Sequence, residues 1–268
     1  MEENKIQAST AETLSDVFYL LKTIKDLKIT GACTQISELP EKMLSIFSLK
    51  ELSEITRTEN YIEAGSAVTL GRLLSQGKSK LPEVLNKALL SIATPQLRNL
   101  ATLGGNICTN PIKGTLYAPL LALDAKLVFQ KENETKTIPI TKFSGTAVPY
   151  ILTKIRIPTA EWDICEFKRI GDIHRLSENS TSYSFLANAE NDALTTVRIA
   201  FSGLISTRIT ALENRLAGTR LPLESSTISA VMTDASLEFD RIFSSRTIPA
   251  MLKEEFLRLI TYSLKKLS

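Results

Sequence analysis

The chain holds few of the residues from which self-contained catalytic or metal centres are built. One histidine and three cysteines occur in 268 residues. Cys33, Cys108 and Cys165 are odd in number and far apart, which argues against a disulfide framework and against a cysteine-rich metal or iron-sulfur site. His174 has no second histidine and no nucleophile signature near it, so it reads as a loop residue and not a catalytic base. No catalytic and no metal-ligating residue is assigned. No apolar run approaches a bilayer span, and the first residues, MEENKIQASTAE, are polar and acidic. Neither a membrane anchor nor a secretory signal is expected, and the cytoplasm is the simplest compartment. Charge of one sign is not in excess either. The 32 basic residues face 29 acidic ones without a cationic block, and only one tryptophan, six tyrosines and ten phenylalanines are available for stacking. Nucleic acid is not suggested as a partner.

What remains is an ordinary globular composition, 43% hydrophobic and 23% charged, at a length near which single cores split. Two domains are the default expectation. Ser9 and Glu12 match a capping box ahead of Leu14, Val17, Phe18, Leu21 and Ile24, whose spacing predicts an amphipathic helix. Residues 43–47, 51–55 and 61–67 read as short strands. Thr69 starts a helix through Leu70, Leu73 and Leu74, and Pro82 opens another that Pro95 stops. A hairpin follows around 126–140, then an alternating strand at 151–157 closed by Pro158. Residues 158–162 mark the boundary to a second domain, with strands at 165–170, 183–189 and 195–204, and helices at 208–217, 227–239 and 249–267.

The stretch 93–110, ATPQLRNLATLGGNICTN, carries the clearest ligand-binding pattern. Gly104 and Gly105 let the backbone turn and come close to a ligand with no Cβ in the way. The donors on offer are main-chain amides, the Asn106 side chain and the hydroxyls of Thr102 and Thr109, a set suited to phosphate oxygens. By itself such a Gly-Gly-Asn turn also joins two ordinary elements without any ligand.

This run resembles the second flavin-binding segment in the FAD subunits of molybdenum hydroxylases, the xanthine dehydrogenase and carbon monoxide dehydrogenase group, with Arg98 in place of that group's upstream basic residue. The likeness continues through APLLALDA at 118–125, ILTKIRIP at 151–158, FKRIG at 167–171 and IAFSGLI at 199–205. It implies an α+β fold. A two-lobed FAD-binding domain of PCMH type would span 1–160, with lobes at about 1–55 and 56–160. A domain like the carbon monoxide dehydrogenase flavoprotein C-terminal domain, an antiparallel sheet plus helices, would span 161–268.

The resemblance also implies FAD as cofactor and a cofactor-binding set. Lys28, Ile29, Ala32, Cys33, Thr34, Gln35 and Ile36 form a first loop. Ala101, Thr102, Gly104, Gly105, Asn106 and Thr109 form the second. Ile92, Ala93, Leu152 and Lys168 would stand near the flavin ring. Two departures bear on affinity. The first loop's usual glycines are replaced by Ala32 and Cys33, and a positive φ at either would cost about 1–2 kcal/mol. The aspartate that the group places after the second segment is replaced by Gly114 or Thr115. The implied partners are a molybdopterin-binding subunit and a 2Fe-2S subunit, with NAD or another acceptor taking the electrons. The alternative is a flavin-free or weakly binding relative that serves as an assembly or interaction subunit.

Overall fold

A computed structural model of the chain describes residues 6–35, 38–110, 112–145, 149–172, 176–244 and 250–268. Ile36 and His174, and the expected helix start at Pro249, lie outside the described residues.

The chain opens with β1 (Gln7–Thr10), α1 (Leu14–Thr23), β2 (Lys28–Thr30) and β3 (Lys42–Ser45). The three strands form a parallel sheet in the order β1-β3-β2, pairing Ser9 with Leu44 and Thr30 with Ser45. The capping box of α1 is built from Thr13 and Asp16, not from Ser9 and Glu12. Ser9 is taken up by the strand, and Thr13 stands directly before the first helical turn, where an N-cap must be. Val17, Phe18, Leu27 and Leu44 bury the helix against the sheet.

A 3-10 turn at Lys50–Leu52 replaces the strand expected at 51–55. Then come β4 (Ile55–Arg57), β5 (Tyr61–Gly65), α2 (Leu70–Leu74), α3 (Glu83–Leu90), α4 (Pro95–Arg98), α5 (Leu103–Cys108), α6 (Tyr117–Ala122), β6 (Lys126–Lys131), β7 (Glu134–Pro139) and β8 (Ile151–Pro158). The strands make an antiparallel sheet in the order β4-β5-β8-β6-β7. α3 ends at Leu90 with Ser91 as its C-cap, before the stop expected at Pro95; Pro95 instead begins α4, because its fixed φ suits the first helical position and Thr94 caps the turn. Leu73, Leu85, Leu89, Leu103, Ile107 and Leu120 from the helices meet Leu127 and Ile155 of the sheet. Each such buried leucine contributes about 1.5–3 kcal/mol. Ile151 turns to the first lobe's core while Leu152 joins the second, so β8 ties the two lobes together.

The last part holds β9 (Ile164–Ile170), β10 (Thr181–Glu190), β11 (Ala193–Ser202), β12 (Thr207–Arg208), α7 (Thr210–Leu216), α8 (Ser225–Phe243) and α9 (Ala250–Leu264). The four strands form an antiparallel sheet in the order β12-β11-β10-β9. Asn191 and Asp192 both take left-handed backbone, as a two-residue hairpin between right-twisted strands requires. Alternation divides the faces of β10. Phe185 joins Phe201, Phe239 and Phe256 beneath the helices, whereas Leu186 faces the second lobe's core. Lys87 Nζ, which donates to the Cys165 carbonyl at 2.7 Å, holds α3 to β9. The fold is α+β, with antiparallel sheets in its second and third parts and the helices gathered beside them.

Candidate functional site

Where β2 ends, Gly31 leaves the first sheet and meets the second lobe. A Cβ placed on Gly31 would lie 2.9 Å from Thr102 Oγ1, so any other residue here would push the Thr102 side chain aside. The loop that follows is open to a ligand. Among the described residues, none accepts a hydrogen bond from the amides of Ala32, Cys33, Thr34 and Gln35. Cys33 holds φ 55°, a left-handed conformation at a residue that carries a Cβ.

The opposite wall differs from the sequence expectation. Gly104 and Gly105 lie inside α5, not in a turn, and Thr102 is its N-cap, accepting from Gly105 N at 3.1 Å. The amides expected to face a phosphate are already used. Leu103 N donates to Val68 O at 2.9 Å, Gly104 N to Ser66 O at 2.8 Å and Asn106 N to Thr102 O at 3.0 Å. Asn106 Oδ1 accepts from Leu116 N at 3.0 Å, which makes the buried side chain a bracket for the next helix. Gly104 is needed for close packing, since a Cβ there would lie 2.8 Å from Ser66 O. Thr109 donates to Gly105 O at 2.7 Å and stands 3.4 Å from Gln35 Oε1 across the gap. Among the described residues, the Thr102 hydroxyl only accepts, which leaves its proton to offer a ligand.

Between these walls runs a cleft of about 620 Å³. Lys28, Ile29, Ala32, Cys33, Thr34 and Gln35 line one side, and Ile92, Ala101, Thr102, Gly105, Asn106 and Thr109 line the other. A second chamber of about 230 Å³ shares Lys28, Ile29, Thr102 and Gly105 with it and adds Gly104 and Leu152. Residues from three separated stretches thus converge.

Two expected residues do not line these spaces. Ala93 turns away at φ 44°, and its carbonyl accepts from Arg98 Nη1 at 2.9 Å. Lys168 lies on the far face of β9, with its Nζ 4.6 Å from the ring centre of Tyr262 on α9. Its neighbour Arg169 points the other way, donating to Ser91 O at 3.4 Å beside Ile92. Several lining residues were not anticipated, among them Gly31, Cys108 and Asn110 in the cleft and Ser66, Tyr150 and Ile151 in the chamber. Gly31 and Cys108 adjoin recognised segments. Ser66 and Tyr150 carry no signal, being brought in by the fold alone.

The chemistry on offer is that of holding, not of acid-base transfer. Burial pushes the Cys108 thiol up to about 11, so it stays protonated and unreactive near neutrality. Lys113, its pKa lowered by burial, is engaged with Asn110 Oδ1 at 2.9 Å. Lys28 is the cation that lines both spaces. Unpaired main-chain donors, one lysine and the Thr102 hydroxyl fit an anion such as a diphosphate in the cleft. The apolar chamber behind them fits an aromatic ring.

Residues 4–160 match the family described as the FAD binding domain in molybdopterin dehydrogenase. The xanthine dehydrogenase FAD-binding subunit of Escherichia coli O157:H7 is 33% identical over 143 residues, 50% of this chain and 49% of that protein. The nicotinate dehydrogenase FAD-subunit of Eubacterium barkeri is 30% identical over 143 residues, 49% and 48% of the two chains. The matched region therefore spans about half the length of these curated relatives. The crystal structure of quinoline 2-oxidoreductase from Pseudomonas putida 86 shares the fold, with a TM-score of 0.79 at 16% identity over 100% of this chain and 96% of that one. Among the described residues, no helix is long and apolar enough to cross a membrane.

Proposed function

The chain belongs to the family of FAD-binding domains of molybdopterin dehydrogenases, and from that premise we propose that it is the flavin-holding subunit of a molybdenum hydroxylase, acting in the cytoplasm. Residues 1–160 are assigned to the FAD-binding domain and 161–268 to a C-terminal domain. FAD, when bound, accepts electrons and passes them on, here from a partner's 2Fe-2S clusters to NAD or another acceptor. Substrate oxidation belongs to a molybdopterin-binding partner.

The observation that carries this reading is the convergence of residues 28–35, of 101, 102, 104–106, 108 and 109, and of 152 on one cleft and its chamber. The free amides of 32–35 and the Thr102 hydroxyl would hold the diphosphate, with Lys28 supplying positive charge. Ile92 and Leu152 would exclude water from the ring. The donors lie mainly on the first loop, because the α5 amides are spent within the fold.

A second reading has its own observation. Cys33 carries a left-handed backbone in the loop that would bear most of the phosphate contact, and strain there favours a weakly binding member retained for assembly. Flavin absorbance of the purified chain, alone and with partner subunits, separates the two. Stoichiometric FAD supports the electron-transfer role, and association with partners without flavin supports the assembly role.

A further inference from the structure

We propose that Tyr150 seats the heteroaromatic ring that enters the inner chamber, its own ring forming the flat wall on which that ring stacks. The proposal rests on the flavin reading above. The chamber's apolar walls are otherwise aliphatic, among them Leu27, Ile29, Ile46, Ala67 and Leu152. Aliphatic walls exclude water from a flat ring but leave its plane undecided. An aromatic neighbour does both, because two π-systems favour offset-stacked or edge-to-face arrangements. Among the described residues, Tyr150 is the one aromatic residue that lines either the chamber or the cleft.

Tyr150 stands directly before β8, and the two-residue period of extended backbone gives it the face of Leu152. Both side chains pack against the core of the second lobe, and Leu152 is itself part of the chamber wall. Tyr150 is only half-buried, so ring surface remains for a ligand to cover. The outer end of the side chain is anchored. A hydrogen bond between the hydroxyl and Glu134 raises the phenol's pKa, and Lys131 Nζ lies 5.8 Å from the ring centre. Both partners belong to the β6–β7 hairpin, so the ring is oriented before a ligand arrives and little rotamer freedom is lost on binding. Flavin and adenine are both flat rings that such a wall can take. The chamber joins the cleft at Thr102 and Gly105, so a ring inside it stays linked to a diphosphate outside.

The test is calorimetric titration of the full chain and of its Tyr150→Leu and Tyr150→Phe variants with FAD, FMN and ADP. Tyr150→Leu, which keeps an apolar side chain but no flat face, is expected to bind FAD roughly three- to tenfold more weakly, the worth of one aromatic pair. Tyr150→Phe keeps the ring and is expected to stay within about twofold of wild type. The same loss in Tyr150→Leu with FMN assigns the chamber to the flavin ring, and with ADP to adenine; either supports the proposal. Unchanged FAD affinity in Tyr150→Leu overturns it. Equal weakening by leucine and phenylalanine overturns it too, since the hydroxyl and its hold on the hairpin would then matter and the ring would not. So does a loss with FAD that neither FMN nor ADP shares. If wild type itself binds none of the three, the flavin reading falls and this proposal with it, an outcome distinct from a silent substitution.

Discussion

Arg98 Nη1 donates to the carbonyl of Ile92 at 2.6 Å and to that of Ala93 at 2.9 Å. Ala93 is a non-glycine residue at φ 44°, and its neighbour Ile92 lines the cleft. The guanidinium therefore holds a strained elbow whose apolar side chain forms part of the wall. Arg169, from the last sheet, grips the adjoining Ser91 carbonyl at 3.4 Å, so two arginines from separate parts of the chain fasten three consecutive residues.

Arg98→Ala is expected to destabilise the protein by about 2 kcal/mol, because hydrogen bonds from a charged group are lost and the elbow loses its support. Arg98→Lys should recover part of this but not all, since one ammonium lacks the planar fork. Urea unfolding of the three proteins checks it. Equal midpoints would mean that the elbow holds its shape without the arginine.

Cys33→Gly should relieve the left-handed strain at φ 55°. The strain costs about 1–2 kcal/mol, and the extra freedom of glycine in the unfolded chain returns about 0.5–1 kcal/mol of that, leaving a gain of about 0–1.5 kcal/mol. The variant should also bind FAD more tightly, with no Cβ beside the free amides. Melting temperature and FAD titration read the two effects, and a variant that is less stable and binds no better would contradict both.

Gly104→Ala should damage the fold before it touches any ligand. The added methyl would lie 2.8 Å from Ser66 O and 2.8 Å from Ser66 Cβ, and overpacking of this kind costs about 1–3 kcal/mol. A lower unfolding midpoint in the absence of FAD is the expected result. An unchanged midpoint would mean that α5 shifts freely.

Glu63 makes ion pairs with Lys154 at 2.7 Å and Arg156 at 2.6 Å across the second sheet. Burial pushes its carboxyl up, but the hydrogen bonds from Lys154 and Arg156 outweigh this and hold it below the usual glutamate value. The folded pKa lies below the unfolded one, about 4.3. Its contribution is therefore complete above that value and is lost as the pH falls through the folded value. Glu63→Gln should flatten the acid side of the stability curve, modestly because the lysine and arginine are solvent-exposed enough to be screened. Parallel curves for the two proteins would show that the pairs add nothing.

The sequence made the periodic parts and the cleft's outline legible, and failed where two local signals compete or where tertiary packing chooses. Both Ser9-Glu12 and Thr13-Asp16 fit a capping pattern, and strand pairing of Ser9 decided between them. The Gly104-Gly105 pair suggested a turn because glycine disfavours helices. The structure uses it in a helix because the backbone of Ser66 comes too near for any side chain. Alternation in β9 put Lys168 and Arg169 on opposite faces, but both faces are covered, one by α9 and the other by α3. Periodicity alone gives no means of telling which face looks toward the cleft. Ser66 had no local pattern at all, since it reaches the chamber wall only because its main chain bonds to Gly104 of α5 and Thr153 of β8.

The most direct test of the cleft as the FAD site combines flavin uptake with alkylation of Cys33, which lines it. The purified chain is titrated with FAD by fluorescence, then treated with iodoacetamide with and without the nucleotide, and modification is read by peptide mass mapping. Saturable uptake with Cys33 shielded by FAD is the expected result. No uptake at any concentration, or uptake that leaves the Cys33 alkylation rate unchanged, would contradict it.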